Sequence, residues 1–390
     1  MRILLVRLRP VGDVVFTTPL LGALRRHDAN AHVAYLVEPG SAPILEGNPH
    51  INDLIVVPRR GGLARLRDDL AMGRRLAAGR FDTAIDLHGG PRSAWFTWAS
   101  RAPRRIGYTI TGRTWMYTHP VQRARQLTPR HSVTNQWDLL APLGIPQGDP
   151  ATDPVHMVDD SQADARVAEQ LAIAGVGPEH SLVVIHVSAS NHFKRWPEES
   201  FTALVVALVR GDPTRRIFLT SGPSDSDAAR RIADAARQHL GVLASALFDL
   251  GPLGSLSIPE LRALIVRADA YIGGDSGPLH VAATTSVPIV ELLGPTLPER
   301  SHPWRDPRVF TEIVDAGTLP CRPCHQRTCT PGDFRCLTSI SPERVVAAAE
   351  RALRTLPPPN APNDPNVPND PNDPNDPNDP NERRIPVAHP

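Results

Sequence analysis

Ala270-Tyr-Ile-Gly-Gly-Asp-Ser-Gly-Pro-Leu-His-Val-Ala-Ala283 is the stretch that decides the fold of this chain. Tyr271 and Ile272 read as the end of a buried strand and Pro278 through Ala283 as a helix, so a glycine-rich strand-to-helix turn lies between them. Such a turn exposes backbone N–H groups at the positive end of a helix dipole. Gly274 and Gly277 would let a phosphate or diphosphate approach closely, and Ser276 adds a hydroxyl donor. Asp275 would repel that phosphate unless it caps the helix or contacts a sugar hydroxyl. The pattern is neither G-x-G-x-x-G nor a P-loop, and a plain tight turn of an ordinary α/β unit is the competing reading.

The same strand-turn-helix unit recurs along the chain. Ile3 to Leu8 reads as a buried strand, Gly12 opens the turn after it, and Phe16, Leu20 and Leu24 recur at helical spacing. Asp13 stands at the helix start, as a cap or as a group facing a ligand at the strand's carboxyl end, where open α/β sheets place their ligands. His32 to Glu38, Leu54 to Val57 and Phe81 to Leu87 continue as strands. Asp86 and His88 are expected on the same edge as Asp13, with Arg92 close behind as a guanidinium for an anionic partner. Gln147 to Asp160, rich in Pro and Asp, reads as a linker.

Beyond the linker, Ser181 to Val187 is a strand followed by a polar loop that contains Ser188 and Lys194. Arg216 to Thr220 is another, followed by Gly222 and Asp225, the latter a ribose acceptor or a helix cap. Lys194 is either solvated or aimed into a cleft, where it would neutralise a leaving group. Alternating strands and helices over this length predict an α/β chain of two doubly wound, Rossmann-like domains, residues 1–155 and 156–356, ahead of a tail at 357–390. The tail repeats Pro-Asn-Asp and has almost nothing to bury, so disorder is expected.

Hydrophobic residues make up 41% and charged residues 21% of 390, and the net charge is +1, which argues against a nucleic-acid binder. The amino terminus lacks the h-region of a signal peptide and no apolar run approaches about 18 residues, so a cytoplasmic protein is expected. Gly61 to Arg80 reads as a basic amphipathic helix, solvated or in contact with an anionic partner or membrane surface. Cys321, Cys324, Cys329 and Cys336 are spaced C-x2-C-x4-C-x6-C. A structural zinc site and reduced thiols packed in a loop both remain open, because the second C-x2-C of a strong zinc signature is missing.

Three separated stretches, Val11-Gly-Asp-Val-Val-Phe-Thr-Thr-Pro-Leu, His192-Phe-Lys-Arg-Trp-Pro-Glu-Glu-Ser-Phe and Gly273-Gly-Asp-Ser-Gly-Pro-Leu-His-Val-Ala-Ala, together resemble glycosyltransferase family 9, the heptosyltransferases of lipopolysaccharide core assembly. The resemblance spans about residues 1–356 and includes a cysteine cluster like that of heptosyltransferase II-like members. It implies a GT-B fold, with the acceptor on the amino-terminal domain and the nucleotide-sugar on the carboxyl-terminal one. It further implies inverting transfer of heptose from ADP-heptose to a lipid-linked, anionic core oligosaccharide, with no cofactor needed for the chemistry and peripheral contact with the inner membrane. Asp13 matches the general base, Lys194 and the amides around Ser276 and Gly277 would stabilise the departing ADP, and His280 matches a position near the phosphates. Ser188, Gly222, Asp225, Gly274 and Asp275 complete the expected donor site; Gly12, Asp86, His88 and Arg92 form the expected acceptor side. The alternatives are a family-9 transferase with another donor or acceptor, a nucleotide-dependent oxidoreductase on the same halves, and a non-catalytic nucleotide-binding or zinc-stabilised interaction module.

Overall fold

The computed structural model describes residues 1–124, 128–189, 191–222, 225–248 and 256–355. The expected disordered tail lies outside them. In the first half, β1 (Arg2–Val6), β2 (His32–Val37), β3 (Asp53–Val56), β4 (Thr83–Asp86), β5 (Arg104–Tyr108) and β6 (His119–Val121) form one parallel sheet of order β3-β2-β1-β4-β5-β6. Helices α1 (Val11–Val15), α2 (Thr18–His27), α3 (Gly62–Ala78), α4 (Pro91–Ala99) and α5 (Ser132–Trp137) accompany it. The expected single helix after β1 is two, because Pro19 stands in the first turn of α2, where a ring without an N–H starts a helix instead of continuing one. Ile3, Leu4, Leu5 and Val6 are fully buried, as a strand covered on both faces must be.

The second half repeats the plan. Here α6 (Ser161–Ile173) leads into β7 (Ser181–His186), α7 (Glu198–Gly211), β8 (Arg215–Thr220), α8 (Ser226–Leu240) and β9 (Leu247–Phe248). Then come α9 (Ile258–Val266), β10 (Ala270–Gly274), α10 (Gly277–Ala282), β11 (Ile289–Leu293), α11 (Pro298–Ser301), β12 (Thr311–Asp315), α12 (Arg335–Thr338) and α13 (Pro342–Leu353). The sheet order β12-β11-β10-β7-β8-β9 is the first order read from the other edge, with each strand counted from its own half's start. Both halves therefore have the 3-2-1-4-5-6 order of a dinucleotide-binding fold.

Sequential order reverses between β1 and β4 in one sheet and between β7 and β10 in the other. Ligands of open α/β sheets bind outside the strands' carboxyl ends at such reversal points. One cluster of buried side chains joins the halves, running from Leu20 and Leu24 through Met157 to Leu264 and Ala282. The stretch expected as a linker is pinned from both sides: His156 N–H donates to Thr18 Oγ1 at 2.9 Å, and Trp304 Nε1 donates to the Asp153 carbonyl at 2.7 Å. Near it, Ser132 Oγ donates to the Arg300 carbonyl at 3.0 Å, tying α5 to α11. Beside that bond His131 accepts Val133 N–H through Nδ1 and donates from Nε2 to the His302 carbonyl at 2.9 Å. Burial holds His131 down to about 3, so it stays neutral.

Candidate functional site

Both reversal points open on one cleft of about 670 Å³, large enough for a nucleotide-sugar. On the first-half wall, the chain leaves β1 through Arg7 and Pro10 into α1. Asp13 lies in the first turn of α1 but caps nothing: the N-cap position is Pro10 and carries no side-chain bond. The Asp13 carboxylate instead pairs with the nearly buried guanidinium of Arg7, whose Nη1 donates to the Leu87 carbonyl at 2.5 Å. Arg7 thus fixes the carboxylate's direction while leaving it partly open to the cleft.

Gly12 is a point of close approach between the halves. A Cβ built on it would lie 2.5 Å from His280 Cδ2 and 3.5 Å from Gly277 Cα, while one on Gly277 would lie 3.3 Å from Val11 Cβ. The two glycines allow the backbones of α1 and α10 to meet. The His280 ring, itself buried, packs at a tilt against Phe16 of the first half, with 4.2 Å between ring centroids.

On the opposite wall, Asp275 follows β10 directly and Ser276 is the N-cap of α10, without a side-chain bond. Of the two roles expected for Asp275, the cap is not the one it plays, since Ser276 holds that position. Its carboxylate accepts a hydrogen bond from Lys194 Nζ at 2.6 Å and lies 3.7 Å from His280 Nε2. Burial alone would push this carboxyl up, but Lys194 and His280 beside it more than offset that and hold it well below the usual range. Lys194 therefore points into the cleft already oriented, and is not a solvated lysine. Ser276 Oγ is buried without any partner, an unused donor at the turn. Gly274 lies beneath, where a Cβ would come within 3.3 Å of the Lys194 carbonyl.

At the ends of β7 and β8, Thr220 Oγ1, His186 and Ser188 Oγ form a chain with contacts of 3.0 and 3.1 Å, and Gly222 N–H donates to Ser188 Oγ at 2.8 Å. Burial lowers His186 to about 4. Asp225 lines the same end and pairs with Arg195 at 2.8 Å. Glu291 of β11, paired in register with Gly273, is fully buried with no partner for either oxygen among the described residues. Burial, together with the Asp275 charge, pushes it well above the carboxylate range, so it is a neutral acid.

The cysteine-bearing loop supplies a wall that sequence reading missed. Pro323 through Gln326 face the cleft, held by Asn191 Nδ2 donating to Gln326 Oε1 at 2.9 Å and by Cys324 N–H donating to the Pro295 carbonyl at 3.4 Å. Behind it the four cysteines line a cavity of about 30 Å³, and burial, with the neighbouring thiols, raises Cys336 to about 11. Among the described residues no three His, Cys, Asp or Glu side chains are grouped to hold a metal ion.

Three expected acceptor residues are corrected. Asp86 is fully buried and accepts from His88 N–H, Gly89 N–H, Ser93 Oγ and Tyr117 OH at 2.6–3.1 Å, so it knots the turn after β4. Burial raises its carboxyl despite those bonds. Arg92 is consumed by Asp69, Glu38 and the Pro58 carbonyl at 2.6–3.2 Å, clamping α4 to α3 and the end of β2. His88 lies outside the cleft lining, and burial, reinforced by Arg7, lowers it to about 4. Spacing alone could not separate inward from outward side chains at these strand ends.

Paired sheets of identical order, with reversal points opening on a shared cleft that holds a carboxylate on one wall and a lysine-bearing turn on the other, make up the GT-B architecture. The chain belongs to glycosyltransferase family 9 (heptosyltransferase), whose model matches residues 70–334. Lipopolysaccharide heptosyltransferase 3 of Escherichia coli is 29% identical over 352 residues, covering 88% of this chain and 96% of its own. Among solved structures, the family 9 glycosyl transferase of Veillonella parvula superposes with a TM-score of 0.73 at 24% identity, covering 90% of this chain and 97% of that one. E. coli ADP-heptose lipopolysaccharide heptosyltransferase II superposes with a TM-score of 0.71 at 19% identity, covering 90% and 98%. At such identities the two structures speak for the fold alone.

Proposed function

We propose that this protein transfers a heptose from ADP-heptose to a sugar hydroxyl of the lipopolysaccharide inner core, with inversion at the anomeric carbon, at the cytoplasmic face of the inner membrane. The observation that carries the reading is the juxtaposition, in one cleft, of Asp13 with the Lys194–Asp275 pair across the Gly12–Gly277 contact. ADP as the nucleotide and the core as acceptor follow the names of the relatives above.

Asp13 takes the proton of the acceptor hydroxyl as its oxygen attacks the anomeric carbon from the face opposite the diphosphate. That demands about 2.6–3.2 Å between carboxylate and hydroxyl in the closed complex. Lys194, oriented by Asp275, and the free Ser276 hydroxyl meet the charge that grows on the departing ADP, which helps the transition state more than the ground state. Ser188, Gly222 and Asp225 lie at the far end of the cleft, where the nucleoside would extend.

Asp13→Asn removes the proton acceptor and keeps the shape. ADP affinity by calorimetry should be unchanged, while transfer falls by about 10²–10⁴-fold, the usual worth of a positioned base. Turnover near the parent rate would sink the base assignment.

A further inference from the structure

The amino-terminal half of α3 carries an exposed apolar stripe outside the cleft. Leu63, Leu66 and Leu70 are 86%, 57% and 45% exposed. At about 100° per residue they fall within an arc of roughly 60°. Met72 and Leu76, which anchor the helix to the core, lie on the opposite side.

Charge around the stripe is one-signed. The helix's two acids are turned from it and neutralised at the base: Asp69 by Arg92 and Arg65, and Asp68 by Arg60. Arg67 and Arg74 flank the stripe and make no hydrogen bond or ion pair with any described residue. Arg59 and Arg60, just before the helix, are each more than 60% exposed. Three aligned leucines in water are unfavourable, and such alignment marks an interaction site.

A convex strip one helix face wide falls well short of the roughly 800 Å² per partner that a stable protein interface buries. It matches instead a helix lying in a bilayer interface, with leucines at the acyl boundary and arginines at anionic headgroups. Among the described residues no helix is long and apolar enough to cross a membrane. Since α3 begins just beyond β3, at the carboxyl edge of the sheet that also carries Asp13, a surface-bound helix would bring the acceptor side of the cleft to the lipid.

We infer that the amino-terminal half of α3, with Arg59 and Arg60, docks on a bilayer surface containing anionic lipid, Leu63, Leu66 and Leu70 entering the headgroup–acyl boundary. The benefit of such docking rests on the lipid-linked acceptor proposed above; the binding itself does not, and is measured without substrate. In vesicle flotation the full chain should bind phosphatidylglycerol–phosphatidylcholine vesicles and not phosphatidylcholine alone, with binding weakened by salt. Leu63→Ser/Leu66→Ser/Leu70→Ser should keep its thermal midpoint and its rate on a short water-soluble acceptor, yet lose binding by about tenfold or more, since the apolar surface that enters the boundary is removed. No binding by the parent protein, or undiminished binding by the triple variant, overturns the inference. So does self-association of the parent that the triple variant abolishes, which would make the stripe a contact between copies. If vesicle binding holds but no heptose is transferred, the docking surface stands and the functional reading fails.

Discussion

Gly12→Ala isolates the approach of the two halves from every other feature of the site. Alanine in α1 is favourable for the helix itself, by about 1 kcal/mol over glycine, so no local unfolding is expected. The new methyl, however, would sit 2.5 Å from His280 Cδ2, where apolar atoms rest at about 3.5–4.0 Å. Relief requires about 1–1.5 Å of movement. The His280 ring has little room to supply it, being buried and packed against Phe16, so the halves must separate. A misplacement of about 1 Å between reacting groups costs on the order of 10²-fold in rate. Steady-state kinetics on ADP-heptose should therefore show kcat/KM down about 100-fold, with ADP affinity nearly kept because the donor wall moves as a unit. In a His280→Ala background the clash is gone, and adding Gly12→Ala should cost only a few-fold further. Equal losses in both backgrounds, or parent-like activity of the single variant, would refute the steric argument.

Two buried carboxyls predict opposite pH behaviour. Asp275 has a depressed folded pKa, so its contribution to stability is present above the unfolded value near 4 and is lost as pH falls toward the folded one. Asp275→Asn should cost about 2 kcal/mol in urea unfolding at pH 7, with the gap closing below about pH 4; a gap independent of pH would mean the pair is not ionic. Glu291 has a raised folded pKa and must take up a proton on folding above about pH 4.5, so it destabilises increasingly as pH rises. Glu291→Gln should gain on the parent by up to about 1.4 kcal/mol per pH unit across that range, and a flat difference between pH 5 and 8 would show that Glu291 is not held neutral.

The strands that carry the site were legible because buried parallel strands are short apolar runs closed by turn residues: Ile3–Val6, Ser181–His186 and Ala270–Gly274 lie where the pattern put them. β5 and β6 were not, since Arg104-Arg-Ile-Gly-Tyr108 opens on two cations and His119-Pro-Val121 is three residues with a central proline, and their places come from pairing along the sheet. In the site, the residue types were readable and their partners were not. Nothing in the spacing links Arg7 to Asp13 or Lys194 to Asp275, 81 residues apart, because those pairs are made by the fold. Asp86 and Arg92 misled for the same reason: a polar residue after a strand reads alike whether it knots the turn or faces the cleft. The cysteine stretch suggested metal chemistry by its spacing, while its position as a cleft wall depends on Asn191 meeting Gln326.

The central claim is heptose transfer from an ADP donor across this cleft, and its most direct test is incubation of the purified protein with ADP-heptose and defined truncated inner-core acceptors. Release of ADP in step with a product one heptose heavier, with inverted anomeric configuration and no transfer from UDP- or GDP-sugars, is the predicted result. Release of no ADP with any core acceptor, alongside transfer from another nucleotide-sugar, would contradict it.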